Sequence, residues 1–161
     1  MRPEQAGMTR PAARGSRGFS LIELMVTVAV VAILSAIAIP AYNSYVLRSH
    51  RSEAMNALTS NRQQLERCYS QNFSYLGCPT TVGGAATTVC AAAVSTTNGY
   101  YQVSCPVLTA TTFQLQALAL GRQVQDSSCY SMTVTNSGLQ AAKATAAAGG
   151  GVTTLTCWGS N

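Results

Sequence analysis

An acidic residue lies just inside a long apolar run near the start of the chain. Glu23 is the single charged residue of the segment FSLIELMVTVAVVAILSAIAIPA, which covers residues 19–41. A carboxylate in hydrocarbon is costly and usually marks a functional position. Two uses remain open. Ser20 and Glu23 form a capping-box pattern at a helix start, or the carboxylate pairs with a positive group, such as the α-amino group of Phe19 in a neighbouring chain.

Basic residues precede this apolar run. Of the formal net charge of +5, three units lie in residues 1–18, so the basic balance describes a leader and does not indicate a nucleic-acid surface. Three interpretations compete: a secretory signal cut after Ala38, a plain membrane anchor, or a precursor cut at the cytoplasmic face between Gly18 and Phe19. The run is longer than the roughly 7–15 residues of a signal peptide core. The third interpretation explains most residues, because Gly18 leaves the backbone open to a protease and Arg17 keeps it on the cytoplasmic side.

The cysteines could form disulfides. The chain has six of them and no C-x-x-C pair: Cys68, Cys78, Cys90, Cys105, Cys129 and Cys157. Zinc sites use closely spaced ligands, and His50 is the single histidine, so no metal is expected. An even number of scattered cysteines behind an export-like segment indicates disulfides formed in an oxidising compartment.

No set of residues suggests catalysis. His50 lies between Arg48 and Arg51 and is predicted to be solvated, and no second histidine is present to activate a serine or cysteine. Asp126 is expected to anchor a turn through backbone N–H groups. The chain has neither paired acids nor a phosphate-binding glycine loop. We therefore expect a protein that is not an enzyme and uses no cofactor.

The elements that must position these residues form an α+β fold. The helix is expected to continue beyond Pro40, which should kink it or loosen one turn, and to end near Asn72. Its second half has an apolar stripe, with the charged residues mainly off it; the stripe is Ala54, Leu58, Leu65 and Tyr69. That stripe needs an antiparallel sheet of about four strands. Alternation places strands at 101–105, 113–119 and 130–135, with a short last strand at 153–157. Residues 77–99 and 140–151 are expected to be loops.

The N-terminal segment resembles a known family. Gly18-Phe19-Ser20-Leu21-Ile22-Glu23-Leu24, with Pro40 inside the apolar run, is similar to the signature of type IV pilins and pseudopilins. The resemblance implies cleavage after Gly18 and methylation of the Phe19 amine by a prepilin peptidase. It also implies a role for Glu23 in subunit assembly and a helix that loosens around Pro40 in the fibre. The leader is longer than usual, and a start at Met8 would shorten it.

A second resemblance concerns the rest of the chain. It looks like minor pilins related to the competence pilin that receives DNA, on the segments Asn98–Tyr101, Phe113–Ala117, Gly121–Gln123 leading to Asp126 and Cys129, and Cys157-Trp158. This resemblance implies a Cys129–Cys157 bridge. The other four cysteines allow three pairings. Among these we favour Cys68–Cys78, at the end of the helix, with Cys90–Cys105 beside it.

These observations predict a minor subunit of a type IV pilus with three parts. Residues 1–18 are a cleaved leader, 19–46 the membrane and assembly half of the helix, and 47–161 a periplasmic domain. The partners are expected to be other pilins, the prepilin peptidase and the inner-membrane assembly machinery. The subunit should lie in the inner membrane of a Gram-negative bacterium and then in the surface pilus. The alternatives are a type II secretion pseudopilin and a DNA receptor; the second has weak support, since only Arg122 and Lys143 are basic after residue 72.

Overall fold

The computed structural model describes residues 18–82, 90–145 and 154–159. Within them the chain divides into two compact units, one ending at Ile39 and the other beginning at Pro40. The predicted leader, apart from Gly18, and parts of both predicted loops, residues 83–89 and 146–151, lie outside the described residues.

A single long helix, α1, runs from Leu21 to Asn72. It starts where the Ser20 hydroxyl accepts the backbone N–H of Glu23 at 3.2 Å. It ends where Phe73 adopts a left-handed backbone (φ 51°) and donates its N–H to the Tyr69 carbonyl at 2.8 Å. The predicted end near Asn72 is thus confirmed. By length and composition alone, this helix contains a stretch apolar enough to cross a membrane.

Five antiparallel strands form one sheet in sequence order. Their bounds are β1 Val94–Ser95, β2 Tyr101–Leu108, β3 Phe113–Ala119, β4 Ser131–Thr135 and β5 Gln140–Lys143. A 3₁₀ turn at Gly121–Gln125 connects β3 to β4, and a short helix, α2 (Thr154–Trp158), follows β5. The register pairs Val103 with Ala117 and Ala117 with Met132, which puts the apolar residues of neighbouring strands on one face.

The core lies between this face and the part of α1 that follows Pro40. The buried helix positions repeat at steps of three and four residues: Arg51, Ala54, Leu58, Asn61 and Leu65. Alternate residues of β3 are buried from end to end, as a half-buried strand requires. The predicted α+β arrangement of a long helix on an antiparallel sheet is confirmed.

Three details differ from the predictions. The sheet has five strands because β1 lies in the segment expected to be a loop; with two residues it is too short to show alternation. Residues Gln140–Lys143 form β5 instead of a loop. The predicted last strand is helix α2, which β5 holds through side chains: Thr154 Oγ1 accepts the N–H of Ala142 at 3.2 Å, and Trp158 Nε1 donates to the Ala141 carbonyl at 3.1 Å.

Candidate functional site

The predicted N-terminal site residues are exposed in their own unit. Gly18 is exposed, Phe19 is 75% exposed, and a methyl group added at Gly18 would meet no atom within 4 Å. The backbone N–H of Glu23 is used in capping, but its carboxylate has no hydrogen-bond or ion-pair partner among the residues that the structure describes. Only half of the capping box is therefore formed, which leaves the charge of Glu23 available to another molecule.

A buried ion pair links α1 to the segment after the 3₁₀ turn. Arg51 donates to both oxygens of Asp126, from Nε to Oδ2 at 2.7 Å and from Nη2 to Oδ1 at 2.8 Å. The side chains are 9% and 3% exposed. Arg51 also donates to the carbonyl of Thr156 in α2 at 3.2 Å, and Asp126 accepts the N–H of Ser128 at 3.1 Å. The pair thus ties together α1, the turn and the C-terminal helix.

Gln123 extends this network on the other side. Its Nε2 lies 3.0 Å from the Leu47 carbonyl, 3.0 Å from the Tyr101 hydroxyl and 3.2 Å from Asp126 Oδ2. Its Oε1 accepts from Nδ1 of His50 at 3.0 Å. Burial and the charge of Asp126 raise the pKa of Tyr101 to about 12, so this hydroxyl stays protonated inside the core.

His50 and Arg51 correct two sequence-based expectations. His50 is half-buried and stacks on Tyr100, with ring centroids 3.5 Å apart, so the prediction of a solvated histidine was wrong. Asp126 does anchor a turn, as predicted, but its principal partner is Arg51. The sequence predicts that the charged residues lie mainly off the apolar stripe, but Arg51 precedes Ala54 by three residues and shares its buried face. That spacing is the signal that could have revealed a buried arginine.

Four of the six cysteines are bonded in the structure. Cys129 is joined to Cys157, at a sequence separation of 28, and Cys68 to Cys78, at a separation of 10. The first bond connects the start of the β4 region to α2. The second connects the last turns of α1 to the segment that follows it. The first bond adds a covalent link to the hydrogen bonds that hold α2 against β5.

The pairing of Cys90 with Cys105, in contrast, is not formed. Both are free thiols. Cys105 lies at an irregularity in β2, where the register with β3 shifts between Ser104 and Val107, and its thiol donates to the Val107 carbonyl at 3.3 Å. The two side chains still interact: hydrogen bonding from Cys105 lowers the pKa of the Cys90 thiol, while hydrogen bonding to Cys90 and burial raise that of Cys105.

The comparisons with known proteins match both the N-terminal segment and the domain that follows it. A prokaryotic N-terminal methylation motif matches residues 13–39. The sequence model of the family described as "Type IV minor pilin ComP, DNA uptake sequence receptor" matches residues 40–133, more than half of the chain. The chain belongs to this family of type IV minor pilins. Both resemblances seen in the sequence are confirmed, and the Arg51–Asp126 pair lies inside the matched region of this pilin.

Individual relatives of this pilin are known in other bacteria. It is 48% identical over 54 residues to the fimbrial protein EcpC of Eikenella corrodens, covering 34% of this chain and 35% of the relative. It is 48% identical over 52 residues to the type IV major fimbrial protein FimA of Dichelobacter nodosus, covering 32% and 33%. The chain thus spans about a third of the length of these curated relatives. Among solved structures, the non-core minor pilin PilV of Neisseria meningitidis is 23% identical, with a TM-score of 0.46, and the match covers 67% of this chain and 97% of that one.

Proposed function

We propose that this minor pilin is a structural subunit of a type IV pilus, made as a membrane precursor and then assembled with other pilins. The observation that carries the proposal is continuity: the methylation motif at 13–39 leads directly into the minor-pilin domain at 40–133. Residues 1–18 would be the leader, 19–46 the membrane and assembly segment, and 47–161 the periplasmic domain. A membrane-associated assembly system would move the subunit from the inner membrane into the surface fibre.

Processing would occur between Gly18 and Phe19. The structure gives no internal reason for a glycine at position 18, since its backbone is not left-handed and the space around it is open. The glycine is better explained by a protease that must approach the backbone at this position. The new amine of Phe19 would then be methylated by the same peptidase. Pro40, which cannot donate a helical hydrogen bond, would allow α1 to loosen locally in the fibre.

Glu23 would select the incoming subunit. Its exposed carboxylate lies about one helical turn from the new N-terminus. In the membrane, such a group is costly unless it meets an opposite charge. The α-amino group of Phe19 in a neighbouring subunit supplies that charge, so pairing would both neutralise Glu23 and fix the axial position of the new subunit.

We expect Glu23→Gln to reduce incorporation of the subunit into sheared filaments by about ten-fold, while cleavage of the leader continues. Glutamine preserves capping, because a capping box accepts either residue, but it removes the charge. A ten-fold loss corresponds to about 1.4 kcal/mol of lost pairing. Quantitative immunoblots of sheared fibres and of inner membranes measure the two pools.

Gly18→Glu is the matched control for this experiment, because it should block cleavage and leave a full-length precursor in the membrane. Equal amounts of Glu23→Gln and wild-type protein in filaments would assign Glu23 to capping alone. Normally sized mature protein from Gly18→Glu would contradict the proposed cleavage site.

A second candidate function is DNA reception, favoured by the description of the matched family as DNA uptake sequence receptors. The domain offers few cations for it. Arg51 is neutralised by Asp126, and the guanidinium of Arg62 is half-buried 3.1 Å from the position a Gly138 side chain would take. The exposed cations of the described residues beyond Pro40 are Arg48, Arg67, Arg122 and Lys143.

Because the domain has few exposed cations, its DNA binding should depend less steeply on salt than that of proteins that make many phosphate contacts. With three or four phosphate contacts, affinity should fall on the order of 10²-fold between about 50 and 200 mM salt. The measurement is a titration of the full chain in non-ionic micelles with a duplex carrying the most over-represented short motif of its own genome. A shuffled duplex of equal composition is the control. Tighter binding of the motif duplex would support reception, and equal binding of the two would contradict it.

A further inference from the structure

An exposed surface of mixed character surrounds the first turns of the domain beyond Pro40. We call it the arginine rim and define it as Tyr42, Tyr45, Arg48, Arg122 and Val124. Tyr42 and Tyr45 are each 68% exposed and Val124 is 50% exposed. Both arginines are exposed as well. Exposed large side chains with an apolar body, together with exposed cations, are typical of groups that meet a membrane interface.

The buried network fixes the rim in place. Gln123 and Asp126 bond to Leu47 and Arg51, so the 3₁₀ turn crosses α1 beside Leu47. Two adjoining grooves result, both lined by Leu47 and Gln125. One contains Tyr42, His50 and Arg122, and the other contains Ser44, Arg48 and Ser127. Arg48 and Arg122 therefore line neighbouring grooves that meet at Leu47 and Gln125.

The rim carries positive charge that the domain itself leaves uncompensated. The guanidinium of Arg48 has one described contact, from Nε to the Ser44 carbonyl at 3.3 Å. Arg122 has no side-chain hydrogen-bond or ion-pair partner within residues 18–82, 90–145 and 154–159. Asp126, which lines the groove that contains Arg48, is buried and already neutralised by Arg51. An anionic partner would meet both cations without competition.

Distance along the chain identifies that partner. Arg48 folds back one turn to Ser44, which is five residues beyond Ile39, where the apolar unit ends. At about 1.5 Å per helical residue, Ser44 lies roughly 6 Å along α1 from Pro40, the first residue of the second unit. The headgroup layer on each side of a bilayer is about 5–8 Å thick. Tyr42, three residues past Ile39, lies at most about 11 Å away at any angle between the two units.

We propose that the arginine rim binds the phosphate groups of anionic phospholipids while the subunit waits in the membrane. Arg48 and Arg122 would contact phosphates, and Tyr42, Tyr45 and Val124 would enter the interfacial layer. The inference rests on the proposed membrane insertion of residues 19–46. Release of these lipids would be a step that every subunit makes on entering the fibre.

The test uses the full chain in nanodiscs of phosphatidylcholine, with or without phosphatidylglycerol. Backbone hydrogen exchange at residues 121–128 should be roughly five-fold slower in the anionic discs. A change of this size is the population shift that one arginine near an anionic surface supplies. High salt should remove the difference, because it screens exposed charges. Arg48→Gln/Arg122→Gln should abolish it. Arg67→Gln/Lys143→Gln, which removes the same charge from other exposed positions, should retain it.

The proposal and the membrane insertion on which it rests can fail separately. A chain that washes out of carbonate-treated membranes overturns both. A chain that stays inserted but exchanges equally in the two kinds of disc overturns the lipid site alone. Slowing by duplex DNA in neutral discs, without slowing by phosphatidylglycerol, would assign the rim to DNA and also overturn the lipid site.

Discussion

Replacing Asp126 by asparagine is expected to lower the free energy of unfolding of the domain by about 3–5 kcal/mol. The substitution keeps the shape of the side chain and removes its charge. Arg51, which is 9% exposed, would then hold an uncompensated positive charge in the core. Because a domain of this size is stable by roughly 5–15 kcal/mol, the variant should approach the limit of folding at growth temperature.

Urea unfolding of the full chain in non-ionic micelles measures this effect through Trp158, the single tryptophan. Its helix accepts the Arg51 hydrogen bond at the Thr156 carbonyl, so the reporter lies beside the perturbed network. Glu66→Gln is the control. Glu66 accepts a hydrogen bond from the Tyr75 hydroxyl at 3.1 Å in a half-exposed position. Glutamine can still accept this bond through its amide oxygen, so losing the charge should cost no more than about 1 kcal/mol.

A double replacement separates the charge from the packing. Arg51→Met with Asp126→Leu removes both charges and fills similar volume, and such exchanges are often neutral or stabilising. Recovery of most of the lost stability in this double variant would show that the cost in Asp126→Asn comes from the unpaired arginine. A loss below about 1 kcal/mol in Asp126→Asn would contradict a buried ion pair at this position.

The elements of the fold were largely predictable because their burial follows the period of each structure. Alternation along Phe113, Leu115, Ala117 and Ala119 predicted β3, and all four are buried in the structure. The helix stripe was equally visible. Strand β1 and helix α2 were not, because two and five residues are too few to show a period. Pairing with the neighbouring strand determines β1, and contacts with β5 and one disulfide bond determine α2; local propensity does not.

The buried network could be predicted only in part, because its members are far apart in sequence. Arg51 and Asp126 are 75 residues apart, and no local pattern connects them. The N-terminal positions differ, because they form a contiguous motif that matches over residues 13–39. The cleavage, methylation and assembly proposed for them would depend on other proteins. The sequence therefore indicated the contiguous N-terminal motif more directly than the residues that the fold brings together.

Removing the Cys129–Cys157 bond is expected to cost more stability than removing the Cys68–Cys78 bond. On the chain-entropy account, closing 28 residues contributes about 3–4 kcal/mol, and closing 10 residues contributes about 2.5–3 kcal/mol. Burial adds to the difference. Cys129 and Cys157 are both within 1% of complete burial, so alanine at these positions also leaves space in the core.

The comparison is between Cys129→Ala/Cys157→Ala and Cys68→Ala/Cys78→Ala, unfolded in urea under identical conditions. In the first variant α2 loses its covalent link and is held by the Thr154 and Trp158 hydrogen bonds to β5 and the Arg51 bond to Thr156. Because these bonds are weaker than the disulfide, the helix should loosen before the sheet melts. Trp158 fluorescence should then change at lower urea than the circular dichroism of the sheet. Coincident transitions, or a smaller loss than in the second variant, would mean that the hydrogen bonds alone hold α2. A non-reduced peptide map of wild-type protein with Cys129 joined to another cysteine would overturn the bond itself.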